Sequence, residues 1–129
     1  MLAAVFSRIH SPREFTSIAL ANELILERVS GQRATVAEIS AGQRTALSLA
    51  IALTLNSSVH KRAPWLIFDD PVANVDDLNI LSFCDLLREL VLEGGRQVFF
   101  ATANDKVADL FARKFDCLAT EFREIRLER

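Results

Sequence analysis

Hydrophobic and polar residues alternate near the start of the chain in a pattern that predicts a small antiparallel hairpin. Residues 23–29 (ELILERV) place apolar side chains between charged ones, as expected for a strand with one buried face. Ser30-Gly31-Gln32 follows as a turn, and residues 33–38 are predicted to form the returning strand. Pro12 follows a short N-terminal segment to which the pattern assigns no element.

The next segment predicts a buried helix. Ser40 is a favourable N-cap for a helix that begins at Gly42 or Gln43 and ends near Leu55. Apolar residues cover most of the circumference of this helix, so it should be buried on most of its sides. Further helices are predicted over residues 78–92, where Gly94-Gly95 ends the helix, and over residues 106–113.

Two short, continuous apolar runs predict the core strands. Residues 65–68 and 97–101 have the composition of strands that are buried on both faces of a parallel sheet. The tail, residues 117–127, is predicted to form one or two edge strands. Strands that alternate with helices in this way predict an α/β fold with a largely parallel sheet, flanking helices and an N-terminal antiparallel hairpin.

Composition is compatible with a single domain over residues 1–129. The net charge of −2 provides no global basic field that would attract nucleic acid or a membrane surface. The longest apolar run, residues 46–55, is about half as long as a membrane span and indicates a buried helix. Cys84 and Cys117 have neither metal-type spacing nor a disulfide framework, which fits a reducing, cytoplasmic location. His10 and His60 are interpreted as surface or packing residues.

The apolar run that starts at Trp65 ends in two carboxylates, Asp69 and Asp70. This is the arrangement that a Walker B segment requires, because a rigid strand end can hold the first carboxylate against Mg²⁺, often through water. The second carboxylate can then polarise an attacking water. The same pattern is also compatible with the polar end of an ordinary strand followed by a turn.

Three loops carry further candidate chemistry. Ile39-Ser40-Ala41-Gly42-Gln43-Arg44 would leave backbone N–H groups and a helix dipole directed outward, which favours an anion such as a terminal phosphate. An ordinary N-cap with a glycine turn explains the same residues. The loop from Pro71 to Asp77 and the loop after residue 101 are equally compatible with helix caps, by Asp76 in the first and by Asn104 or Asp105 in the second.

The order of these segments is more specific than any one of them. Ser40-Ala41-Gly42-Gln43-Arg44 resembles the signature motif of ABC-type ATPases, in the form found in SMC, RecN and related DNA-repair ATPases. A Walker B segment, a segment similar to the D-loop (residues 73–76) and a segment at the position of the switch-histidine loop (residues 101–105) follow in that order. The chain therefore resembles the C-terminal lobe of such an ATPase, and the resemblance implies a P-loop NTPase-like fold.

In that family two lobes meet head to tail around ATP, so the resemblance implies a role for each matching residue. Asp69 would hold Mg²⁺, and Asp70 would stand where the family has its catalytic Glu. Gln43 and Arg44 would support the signature loop, and Asp76 would make the D-loop contact across a homodimer. The residues expected near the nucleotide are Ser40, Ala41, Gly42, Gln43, Asp76 and Asn104.

Three departures from the family pattern shape the expected activity. The sequence contains no Gly-x-x-x-x-Gly-Lys-Ser/Thr loop, Asp70 replaces the usual Glu, and Ala103 occupies the switch-histidine position. We therefore expect the chain alone to be inactive, with ATP and Mg²⁺ binding only beside an N-terminal Walker A lobe. That lobe and the usual coiled coil would lie upstream in a longer protein or in a separate polypeptide. The resemblance alone suggests DNA as a partner, and no membrane partner is expected. A non-catalytic dimerisation or nucleotide-sensing module is the main alternative, and Arg44 argues against a transporter-type lobe.

Overall fold

The computed structural model describes residues 1–58 and 64–127; His60 lies outside them. The helices and strands follow one another along the chain in this order: α1 (Leu2–Ile9), β1 (Phe15–Leu20), β2 (Leu24–Arg28), β3 (Arg33–Thr35), α2 (Ala41–Ser58), β4 (Trp65–Asp69), α3 (Asp77–Leu92), β5 (Gln97–Ala101) and α4 (Asp105–Phe115). Two 3-10 segments, Val36–Glu38 and Asp116–Glu121, complete the described elements. The bounds of α2, α3, β4 and β5 agree closely with the sequence pattern, whereas α1 and β1 were not predicted.

The predicted hairpin is confirmed and is part of a larger antiparallel sheet with the order β1-β2-β3. The returning strand is shorter than expected and ends at Thr35. Glu38 accepts hydrogen bonds from the backbone N–H and the hydroxyl of Thr35, at 2.7 and 2.9 Å. This capping box starts a 3-10 turn, so residues 36–38 cannot continue the strand ladder.

The predicted parallel sheet is present, but it is small in the described part of the chain. The two sheets there comprise one of three antiparallel strands and one of two parallel strands, β4 and β5. The α/β class is nevertheless correct, because α3 and α4 pack on this parallel pair. Phe68 of β4 meets Phe83 of α3 edge-on at 5.4 Å between ring centroids, and Phe100 of β5 stacks on Phe111 of α4 at 4.5 Å.

The opposite face of the parallel pair is open to solvent, which corrects the prediction that both strands are buried on two faces. Trp65 and Phe99 are each 50% exposed and Ile67 is 65% exposed. Alternate residues of a strand point to opposite faces, so the residues between these pack on the helices. The apolar sequence of the strands thus anticipates a second covering layer that the described residues do not supply.

Two further expectations need correction. The tail forms a 3-10 segment and then an irregular segment over residues 122–127, not edge strands. Phe122 directs this segment back onto α4, with its ring centroid 6.3 Å from that of Phe115. α2 is buried along one broad side only, since Leu55 near its C-terminal end is 61% exposed.

A single hydrophobic cluster joins the helices and both sheets. α1 packs on α2 and α3. Ile9, Leu26 and Phe83 are completely buried, so the first helix is part of the core. None of the helices in residues 1–58 and 64–127 combines the length and apolar character needed to cross a bilayer.

Candidate functional site

The signature-like segment forms a capping box at the start of α2. The Ser40 hydroxyl oxygen accepts a hydrogen bond from the Gln43 backbone N–H at 3.1 Å, and Gln43 Oε1 accepts one from the Ser40 N–H at 2.9 Å. The predicted N-cap is therefore confirmed. Because the Ser40 oxygen acts here as an acceptor, its O–H proton remains available to donate to an external anion.

The side chains of Gln43 and Arg44 stabilise the signature-like loop through hydrogen bonds within the chain. Gln43 Nε2 donates to Glu14 Oε2 at 2.7 Å, and the same carboxylate oxygen lies 3.5 Å from Arg28 Nη1. Arg44 Nη1 donates to the Ile39 carbonyl at 2.6 Å. Both functional ends of the Gln43 amide are thus occupied within the chain, so this side chain stabilises the loop.

The D-loop-like segment lies directly against the signature-like segment. The Asn74 carbonyl oxygen is 3.0 Å from the position that a Cβ on Gly42 would take, and only a residue without a side chain allows this approach freely. Val72 is 4% exposed and anchors the loop in the core. Asn74 itself has a positive φ of 66°, so the loop turns sharply between Val72 and Asp76.

Asp76 caps α3, as the sequence predicted, and both of its carboxylate oxygens are engaged. Oδ1 accepts from the Asn79 backbone N–H at 3.0 Å, and Oδ2 accepts from the Asn79 side-chain amide at 2.7 Å. Each carboxylate oxygen has a second acceptor position, so Asp76 could still accept a hydrogen bond from outside the chain.

The two Walker B-like carboxylates stand at the carboxyl end of β4 in different surroundings. Asp69 and Asp70 are both exposed, but only Asp70 adopts a positive φ, of 44°, and accepts from the Thr102 hydroxyl, at 3.1 Å. The Asp70 N–H donates to the Ala101 carbonyl at 2.8 Å. The end of β5 therefore fixes Asp70 and leaves Asp69 facing solvent.

The loop after β5 continues this network. The Asn104 N–H donates to Thr102 Oγ1 at 3.2 Å, and Asn104 Oδ1 caps α4 by accepting from the N–H groups of Lys106 and Val107. The Asn104 amide NH₂ remains free to donate, whereas the methyl group of the exposed Ala103 has no hydrogen-bonding capacity. The structure thus brings Asp70, Thr102 and Asn104 together.

The side chains after β4 and β5 and at the start of α2 provide only some of the ligands that magnesium and a nucleotide would need. Among residues 1–58 and 64–127, no group of three or more His, Cys, Asp or Glu side chains could hold a metal ion. Mg²⁺ is commonly held by one or two carboxylates, with waters and substrate phosphates as the other ligands. The exposed Asp69 carboxylate fits that chemistry as a single ligand, and the donors of Ser40 and Asn104 fit phosphate oxygens.

Sequence reasoning missed three residues that organise the site: Glu14, Asn79 and Thr102. Asn79 carried only a weak signal, because it follows the N-cap Asp76 by three residues, where a capping box has Glu or Gln; its amide bonds to the Asp76 side chain and not to the Asp76 backbone N–H. Glu14 and Thr102 carried none, since their partners Gln43 and Asp70 lie 29 and 32 residues away in sequence.

His10 is a packing residue, as interpreted from the sequence. Its ring stacks on Phe6 at 5.4 Å between centroids, and the residue is 7% exposed. Burial lowers the pKa of His10 below its ordinary value, and the nearby carboxylates of Glu14 and Asp76 oppose that shift only in part. His10 is therefore held in its neutral form by the core.

Comparison with known proteins supplies relatives for part of the chain. No family model matches it. A DNA double-strand break repair Rad50 ATPase from Aeropyrum pernix is 33% identical over 92 residues, which cover 69% of this chain and 10% of the relative. The Rad50 ATPase of Sulfurisphaera tokodaii is 31% identical over 70 residues, and Arcadin-4 of Pyrobaculum calidifontis is 35% identical over 80 residues. The chain spans about a tenth of the length of these relatives.

Solved SMC structures share the fold. One, from work on ATP-driven dimerization and DNA-stimulated activation of SMC ATPases, has a TM-score of 0.65 at 24% identity and covers 84% of this chain and 71% of its own. An SMC head bound to the C-terminal winged-helix domain of ScpA has a TM-score of 0.66 at 23% identity, covering 84% of this chain and 35% of its own. Both likenesses concern the fold.

Proposed function

The chain is the C-terminal lobe of an SMC/Rad50-type ABC ATPase, and from this premise we propose that it supplies the signature motif, Walker B segment and D-loop of a composite ATP site. The observation that carries the proposal is the contact between Gly42 and the Asn74 carbonyl. It places the signature-like and D-loop-like segments side by side, so one docking event would present both segments to a nucleotide held by another lobe.

The signature segment would contact the terminal phosphate. Ser40 keeps a free O–H donor beside the start of α2, where unpaired N–H groups and the helix dipole favour negative charge. Ala41 and Gly42 lie in the first turn and offer backbone without bulky side chains. Gln43 contributes by holding the loop to Glu14, and Asn104 could donate its amide to a phosphate oxygen.

The carboxylates at the end of β4 would divide the chemistry between them. Asp69 would ligate Mg²⁺, which neutralises charge on the transferred phosphoryl group when it is bound. Asp70 would orient the attacking water, and its Thr102 hydrogen bond would fix the carboxylate for that task. Asp76 would use its remaining acceptor capacity across the dimer interface.

The open apolar face of β4 and β5 supports an N-terminal Walker A lobe as the direct partner. Trp65, Ile67 and Phe99 form an exposed apolar surface next to the candidate site, and such surfaces mark interaction sites. We propose that residues 1–129 act as one domain that docks there with a Walker A lobe and then pairs with a second copy around ATP. This chain, at about a tenth of the length of its relatives, is expected to be inactive alone.

A role in DNA repair or chromosome maintenance follows from the relatives, since the Rad50 proteins are described as DNA double-strand break repair ATPases. DNA contact by the assembled protein is part of the proposal, whereas the net charge of this lobe, −2, adds no support of its own. We place the assembled protein in the cytoplasm.

A non-catalytic, nucleotide-sensing dimerisation module is the second candidate. Ala103 offers no polar group at the switch position, and Asp70 is one methylene shorter than the Glu that usually stands there. Under this alternative ATP would close the dimer without being hydrolysed at an appreciable rate.

Changing Asp70→Asn in the assembled protein separates the two candidates. Asn keeps an oxygen that can accept from Thr102 and tolerates the positive φ, so the fold should be retained. If the assembled wild-type protein hydrolyses ATP and the variant loses at least about a hundredfold in turnover, the enzyme is supported. If the wild type pairs with nucleotide but shows no turnover, the sensing module is supported.

Changing Ser40→Arg tests the signature role itself. Added bulk and positive charge should fill the phosphate seat and block nucleotide-dependent dimerisation in sedimentation, while Ser57→Arg, near the C-terminal end of α2, serves as the matched control. Dimerisation that is unchanged in the Ser40 variant would count against the proposal. The isolated chain should show no saturable ATP binding in calorimetry.

A further inference from the structure

Asn79 is a buried amide that joins the N-cap of its own helix to the connection between α1 and β1. The residue is 3% exposed. Nδ2 donates to Asp76 Oδ2 at 2.7 Å and lies 3.5 Å from His10 Nδ1, and Oδ1 accepts from the Ser11 backbone N–H at 2.7 Å. Because a carboxylate can only accept and a backbone N–H can only donate, these partners determine which end of the amide is oxygen.

The segment that Asn79 contacts also reaches the signature-like loop. Ser11 lies in the connection between α1 and β1, and Glu14 of the same connection accepts from Gln43 Nε2 at 2.7 Å. Asn79 therefore completes a closed path that runs from the D-loop to residues 10–14, then to the signature-like loop, and back to the D-loop through the contact between Gly42 and Asn74.

We propose that Asn79 is a positioning residue that orients the Asp76 carboxylate and ties the D-loop to residues 10–14. The tie makes α1, the D-loop and the signature-like loop one mechanical unit, so displacement of α1 changes the geometry presented to a nucleotide. The tie itself stands on the observed contacts, whereas its effect on nucleotide-dependent pairing rests on the proposed function.

Isosteric exchanges test the two ends of the amide separately. Asn79→Asp keeps an oxygen for the Ser11 N–H but opposes two carboxylates, those of residues 76 and 79, so the D-loop end of the tie is broken and the Ser11 end is kept. The contact of residue 79 with His10 Nδ1 changes as well. Asn79→Ala removes both ends. The double variant Asp76→Asn with Asn79→Asp exchanges donor and acceptor, and it restores the bond because Asn caps a helix as well as Asp does.

Amide hydrogen exchange of the chain, resolved by residue, is the readout. In Asn79→Asp the amides of residues 79 and 80 should exchange at least about tenfold faster, as expected for loss of a hydrogen bond to a charged group, while the Ser11 amide stays protected. Asn79→Ala should expose all three amides. The double variant should return residues 79 and 80 to within about threefold of the wild-type rate, and Ser82→Ala, which removes a bond only to the Leu78 carbonyl, is the control.

Two results would overturn the proposal: wild-type exchange in Asn79→Asp, or a double variant no better protected than Asn79→Asp. If Asn79→Asp does not fold, a double variant that folds with wild-type protection supports the tie, and one that also fails to fold contradicts it. Altered exchange together with unaltered nucleotide-dependent pairing of the assembled protein would leave the tie intact and overturn its positioning role. Absence of nucleotide-dependent pairing in the assembled wild-type protein would instead count against the proposed function.

Discussion

The Asn74 carbonyl oxygen lies 3.0 Å from the place where a Cβ on Gly42 would stand. Gly42 therefore fits closely against its neighbour in the same chain, in addition to any role toward a phosphate. The contact holds together two segments that are separated in sequence by most of α2 and by β4.

Changing Gly42→Ala should move the D-loop with little net effect on global stability. The new methyl group would displace the Asn74 carbonyl by a few tenths of an ångström, while Ala favours the helix by about 1 kcal/mol over Gly. We expect the free energy of unfolding in urea to change by less than about 1 kcal/mol. The amide of Val75, which bonds to the Val72 carbonyl at 3.1 Å, should exchange several-fold faster.

Thr45→Ala is the control for this change, because it alters the next turn of α2 without touching Asn74. A Gly42→Ala protein that gains the full helix-propensity benefit, with Val75 exchange unchanged, would show that the contact imposes no constraint on the D-loop.

Burial of His10 predicts that stability depends on pH. Its pKa is lowered in the folded state, so below pH 6.5 the unfolded chain binds the proton more readily. The free energy of unfolding therefore has its full value above pH 6.5, where His10 is neutral in both states. It decreases as the pH falls from 6.5 toward the lowered pKa of the folded state. Urea unfolding midpoints at pH 5.5 and 7.5 should therefore differ in the wild type, with the lower stability at pH 5.5.

His10→Gln should remove most of this dependence, since Gln does not titrate. The chain has two histidines, so His60→Gln is measured beside it to separate the contribution of the second histidine. An equal loss of the dependence in both variants, or the persistence of the full effect in His10→Gln, would show that His10 is not its source.

The two thiols should react at very different rates. Burial raises the pKa of Cys84 to about 11, whereas Cys117 is exposed. Because the thiolate is the reactive form, one thiol per folded chain should be labelled by a maleimide at pH 7.5, and both after unfolding. Cys117→Ser should reduce labelling of the folded chain almost to zero, while Cys84→Ser should leave it unchanged. Rapid labelling of Cys84 in the Cys117→Ser protein would contradict the described burial.

The open face of the parallel strands should cause self-association of the isolated chain. Ile67→Glu places a charge in the centre of this face, where Ile67 is 65% exposed, and should weaken association at least about tenfold in sedimentation equilibrium. Val29 is 67% exposed and lies in the turn that follows β2, so Val29→Glu is a control matched in exposure and charge. Equal weakening by Ile67→Glu and Val29→Glu would show that association depends on the net charge of the chain and not on this face.

Docking of a Walker A lobe on the same face has its own readout. Trp65, the one tryptophan of the chain, should shift its fluorescence to the blue when such a lobe covers it.

Local patterns in the sequence were sufficient for the caps and for most elements between residues 23 and 115, whereas α1 and β1 were missed and the tail was misassigned. The correctly predicted features all depend on residues that are a few positions apart. They are the bounds of α3 and β5, the hairpin of β2 and β3, and the helix caps by Ser40, Asp76 and Asn104. Such interactions are set by backbone geometry and side-chain reach, and they can be identified without knowing the rest of the fold. The order of the motifs was equally visible in the sequence and indicated the lobe.

Tertiary structure alone decided which of those local features meet. Three hydrogen bonds join residues from distant parts of the chain, and no periodicity in the sequence predicts them. They link Gln43 to Glu14, Thr102 to Asp70, and Ser11 to Asn79. The apolar composition of β4 and β5 indicated burial on two faces, but burial also requires a neighbouring layer, and the described residues cover one face only. The sequence of a strand indicates how much apolar surface must be covered. The packing of helices and sheets in the tertiary structure determines which element covers that surface.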